Sequence, residues 1–166
     1  MPFAYYKQLS RKQQRIYDQS DALASIKLPN AHAIQALSSE LQAQLPGGQR
    51  AVVQRICQRI SNAITRELGV DDIKIKVLST RPSNDAYELH GFYMPAYKDT
   101  GHAITVYMRT ASRKQVVAFK TFLRTLLHEI CHHLDYELLK LEESYHTEGF
   151  YKRESSLFHQ IVTPSQ

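Results

Sequence analysis

Between Thr125 and Leu139 the sequence reads TLLHEICHHLDYELL, with His128, Glu129, His132, His133 and Asp135 set into an otherwise apolar segment. Phe122, Leu123, Leu126, Leu127, Ile130 and Leu134 recur around them at helical spacing, which predicts a largely buried helix. Polar groups in such a setting need partners, because burying them unpaired is costly. Residues i and i+4 of a helix stand one above the other about 6 Å apart, so His128 and His132 can turn their imidazoles onto one ion. Glu129, next to the first histidine, can reach a water in the open position of that ion without ligating it.

The chain around this helix has the size and make-up of one folded domain. Its 166 residues can bury a core without a metal or disulfides as a prop, so a metal here points to chemistry. With 43% hydrophobic and 22% charged residues it is too apolar for disorder. The net charge of +5 is spread without a basic run, which predicts at most weak, salt-sensitive contact with nucleic acid. No apolar run suits a membrane span and MPFAYYKQLSRKQQ lacks a secretory h-region, so the expected location is cytoplasmic. Cys57 and Cys131 fall in helical patterns and read as small buried apolar residues rather than a disulfide. The oligomeric state is not legible.

Period and turn signals predict an α+β fold. Helices are expected over 8–26, 31–45 and 50–68, the third with a clean apolar stripe closed by Gly69. Strands are expected over 73–78, 86–94 and 103–109, giving a small sheet of three strands or slightly more. A long helix over 114–142 and a last one over 148–162 complete the chain. The division expected is an N-terminal helical arm over 1–48 and a domain over 49–166.

Two histidines are too few for a catalytic zinc, which takes three protein ligands and a water. The extension H-E-x-x-H-x-x-G-x-x-H fails, since Asp135 stands where glycine should be and Leu138 where the third histidine should be. His146 is the first candidate for the third ligand, with Glu148 and Glu154 in reserve. Asp135 lies on the ligand face and can orient an imidazole or serve as an alternative ligand. Cys131 is a further alternative, although it points about 100° away from His132, as does His133. His90 and His102 read as surface residues. Tyr136, Tyr145 and Tyr151 are candidates for oxyanion stabilisation.

The stretch HEICHHLDYELLKLEESYHTEGFYKRE resembles the SprT-like, WLM-type and YgjP-type metallopeptidases, in which H-E-x-x-H is followed about a dozen residues later by H-x-x-x-F or H-x-x-x-W. His146 and Phe150 would be that second element. The resemblance covers about the C-terminal half, strands included, and implies a minimal zincin-like domain with the sheet packed on the H-E-x-x-H helix. It also implies Zn2+ held by His128, His132 and His146, Glu129 as general base, and a protein or peptide substrate. The alternative is a zinc-stabilised binding module for protein or nucleic acid, with a closed site completed by Asp135, Glu148 or Cys131.

Overall fold

The computed structural model describes residues 1–82 and 90–163. Among these the chain is α+β, with five α-helices and one three-stranded mixed sheet. The helices are α1 (Arg11–Asp21), α2 (Ala31–Gln44), α3 (Arg50–Leu68), α4 (Phe119–Glu137) and α5 (Glu148–Ile161), and the strands are β1 (Lys74–Thr80), β2 (Gly91–Met94) and β3 (Ala103–Arg109). None of the helices is long and apolar enough to cross a membrane.

β3 is the central strand, parallel to β1 and antiparallel to β2. Its position explains its composition: Ile104 to Met108 are buried on both faces, whereas β1 alternates, with Ile75 and Val77 inward and Lys74 and Lys76 outward. The two outer edges of the sheet differ. Along β1, Gln54 and Gln58 of α3 accept from the Val77 and Ile75 amides at 3.0 and 2.8 Å, and Gln58 donates to the Ile73 carbonyl at 2.8 Å. One helical turn nearly matches two strand residues in length, so glutamines at i and i+4 satisfy alternate backbone groups and close that edge. No such cover lies along β2 among the described residues.

Part of the expected arm, residues 26–45, joins the core of the rest. Ile26, Leu28, Ile34, Leu41 and Leu45 belong to the same buried cluster as Val53, Ile60, Val106, Leu126, Phe150 and Leu157. Gly149 lies where a Cβ would fall 2.6 Å from the Asp21 carbonyl, so a side chain there would hold α5 away from the end of α1.

Three predicted boundaries shift. The helix expected over 8–26 begins after Ser10, whose hydroxyl and Gln13 form a reciprocal cap, and ends at Asp21; Ile26 and Leu28 then alternate with exposed Lys27 as extended chain. The helix expected over 114–142 is α4 alone. Before it, Val116 pairs with Arg109 and Val117 bonds the Met108 carbonyl as an extension of the sheet; after it, Lys140 turns at φ 55° and the Leu141 amide bonds Asp135. Of the strand expected over 86–94, the part over 91–94 is β2, and 86–89 lies outside the described residues.

Candidate metal centre

α4 and α5 bring three imidazoles to one point. His128 and His132 project from one side of α4, and His146 stands just before α5, which starts at the Thr147 cap. The His146 Nε2 lies 3.1 Å from His128 Nε2 and 3.0 Å from His132 Nε2. Phe150 supports all three rings, with centroid distances of 4.9, 4.8 and 5.2 Å to His128, His132 and His146. Tyr5 donates to the His146 carbonyl at 2.6 Å, so the N-terminal segment also holds the third ring.

The partners of the opposite ring nitrogens fix where the protons sit. His128 Nδ1 is 2.8 Å from the Glu154 carboxylate, which only accepts, so Nδ1 carries the proton. Ser144 donates to Asp135 Oδ2 at 2.7 Å; its oxygen is then the acceptor for His132 Nδ1, also at 2.7 Å. With both rings neutral, the two Nε2 atoms present lone pairs to His146 Nε2, and one proton on His146 cannot satisfy two acceptors. A metal ion can, and second partners that fix the tautomer are the usual support of metal-bound histidine. Among the described residues these three nitrogens form one of two groups suited to a cation.

Behind Ser144, Asp135 pairs with Arg153 at 3.0 Å, both side chains fully buried. Arg153 also donates to the Ser20 and Leu23 carbonyls at 2.5 and 2.6 Å and to the Ser20 hydroxyl at 2.8 Å. Burial pushes the Asp135 carboxyl up from its ordinary value, opposed by Arg153 and Ser144. Burial also pushes the His132 imidazole down to about 3, with the neighbouring His128 and His146 adding to the effect.

Glu129 is buried. Burial raises its pKa, with His128 lowering it and Glu154 raising it. It borders two adjoining clefts beneath Gly91 of β2. One, of about 470 Å³, runs past His128, Thr125 and Arg124; the other, of about 320 Å³, runs past His132, Tyr136 and Ser144.

The other candidates lie elsewhere. Glu148 pairs with Lys152 at 3.2 Å and Glu154 supports His128 from outside the cluster. Cys131 is buried, and its thiol is pushed up by burial. His133 bonds Tyr93 and the Asp71 carbonyl. Tyr145 bonds Glu143, Tyr151 packs on His128 and His146, and Tyr136 lines the groove. Sequence reasoning missed Ser144 and Arg153. The one available signal was that Arg153 falls on the apolar stripe of α5, three residues after Phe150 and four before Leu157. Comparison with protein-family models, with curated proteins and with solved structures gave no match.

Proposed function

We propose that the chain is a zinc-dependent metallopeptidase of minimal zincin-like form, and that His128, His132 and His146 hold the metal. The observation that carries this reading is the convergence of three Nε2 atoms, two of them with their protons fixed on the far nitrogen by Glu154 and Ser144. Bound there, zinc would supply Lewis acidity, lowering the pKa of a coordinated water toward about 7 and polarising a carbonyl.

Glu129 supplies the base. Its burial in the groove beside His128 and its raised pKa suit a carboxylate that takes a proton from water and passes it to the leaving amine. The open position this chemistry needs is supported by the engagement of Asp135 with Arg153 and Ser144, of Glu148 with Lys152, and by the burial of Cys131, since these were the candidates for a fourth ligand. The substrate is a protein or peptide in extended form. β1 has its edge closed by α3, while β2 runs above the groove with its outer edge uncovered among the described residues, so a peptide can add to the sheet by main-chain pairing at Gly91–Met94.

The test is hydrolysis of a broad set of unfolded proteins by the zinc-loaded chain and by Glu129→Gln. The variant should retain its zinc and its melting temperature and lose at least about 100-fold in rate. Loss of zinc in Glu129→Gln, or full activity on a substrate that the parent cleaves, would remove Glu129 as the base.

A further inference from the structure

A second group lies on another face of the sequence-distant end of α4. Asp71 stands in the connection between α3 and β1, His102 immediately before β3, and Glu137 at the end of α4. His102 Nε2 is 3.5 Å from Asp71 Oδ2 and 3.5 Å from Glu137 Oε1, and the three ligand atoms lie within 4.8 Å of one another. From the geometry we infer that this group binds a divalent cation of the zinc type, separate from the three-histidine cluster, which clasps the end of α4 to the start of β3 and the α3–β1 connection.

The distances favour a metal over a shared proton. An N–H···O hydrogen bond spans about 2.7–3.2 Å, and neither carboxylate comes that close. Ligand atoms held about 2.0–2.2 Å from one zinc at tetrahedral angles are about 3.3–3.6 Å apart. Charge points the same way: two carboxylates converge on one imidazole nitrogen, and a divalent cation balances both.

The neighbouring hydrogen bonds offer His102 two tautomers, one of which suits a metal. His133 Nε2 lies 2.7 Å from the Asp71 carbonyl, an acceptor only, so this nitrogen carries the ring proton. His133 is fully buried, which favours the neutral ring, so its Nδ1 accepts from the Tyr93 hydroxyl at 2.9 Å. The Tyr93 oxygen is left as an acceptor 3.2 Å from His102 Nδ1. A proton on that Nδ1 completes a chain from His102 through Tyr93 and His133 to the Asp71 backbone and frees Nε2 as a lone pair between the carboxylates. The amide of Ala96, 3.1 Å from the same Nδ1, is the competing donor. It serves the opposite tautomer, in which Nε2 keeps a proton and binds no metal. The side chain of His102 is 11% exposed and that of Asp71 76%, so the group is anchored on one side and open to water ligands on the other.

The test uses Zn2+ alone, titrated into metal-depleted protein, with metal content read after gel filtration and folding checked by circular dichroism. The double variant His128→Ala/His132→Ala should still take up about one zinc per chain, and added zinc should raise its melting temperature. Adding His102→Gln should abolish that uptake. Adding Glu137→Gln instead, at a helix end where folding is less at stake, should weaken it strongly, and adding Tyr93→Phe should weaken it about 10–100-fold. No zinc in the folded double variant, or uptake that neither His102→Gln nor Glu137→Gln diminishes, overturns the second site. The proposed peptidase is judged separately, by zinc that is lost in His128→Ala/His132→Ala and retained in His102→Gln.

Discussion

The two imidazole clusters share α4 but differ in how their ring protons are committed. At His128 and His132 the far nitrogens meet Glu154 and the Asp135-bound Ser144, so each proton has one place to go. At His102 the far nitrogen has both the Tyr93 hydroxyl and the Ala96 amide within reach, and two tautomers compete. The first cluster is held by buried groups from α1, α4 and α5; the second has Asp71 at the surface. A site whose supports settle the tautomer before any ion arrives spends less of its binding energy on reorganisation. The first cluster should therefore bind metal more tightly than the second.

The largest effect expected on that difference comes from removing a ligand. His146→Ala leaves two nitrogens and should largely abolish high-affinity zinc uptake, leaving only the weaker site in a titration. Asp135→Ala comes next. It strands Arg153 in a site with no solvent and frees Ser144, so denaturant unfolding should show a loss of about 3–5 kcal/mol. Ser144→Ala is milder, because the buried ion pair survives. Its loss of the His132 support should weaken zinc binding at the first cluster about 10–100-fold, with the second unchanged. Equal weakening at both would mean that the clusters are not independent.

The α4 helix and its His128–His132 clamp were legible because helical periodicity and i,i+4 spacing are local. The boundaries of that helix were not, since Val116, Val117, Leu138 and Leu141 continue its apolar pattern while serving the sheet and the following turn. The supports were hidden for a different reason. Arg153 meets Ser20 across 133 residues and Asp135 across 18, and nothing short-range in the sequence joins them. Ser144 lies among glutamates in a connector and acquires its role only when the chain folds back on His132. His102 reads as a surface residue because a histidine beside a strand is more often exposed than functional; its partners come from the far ends of α3 and α4.

Acid should loosen the first cluster in the metal-free protein, and burial lowers the pKa of His133 beside the second in the same sense. The His132 pKa is held at about 3 and that of His146 is also lowered, in both cases chiefly by burial. On unfolding, these rings return to about 6.5 and take up protons that the folded chain refuses. The contribution of these two rings to the stability of the metal-free protein is thus fully present above about pH 6.5 and is lost as the pH drops toward 3. Melting of metal-free protein across that window should show a shallower decline in His132→Gln than in the parent. An equal decline would place the acid-sensitive groups elsewhere.

The smallest effect expected is at Glu148, and it is informative for that reason. This residue stands two positions after His146 at the first turn of α5, where a carboxylate favours the helix N-terminus, and it pairs with exposed Lys152. A glutamate third ligand at this position would make Glu148→Ala as damaging to zinc binding as His146→Ala. With His146 as the ligand, Glu148→Ala removes only surface ion pairs with Lys152 and the N-terminal amine and a dipole contact, so zinc affinity should hold and stability should change by no more than about 1 kcal/mol. Zinc titration of the two variants side by side distinguishes these cases, because they alter positions two residues apart, at the end of the connector and the start of α5, and differ in which side chain reaches the α4 histidines.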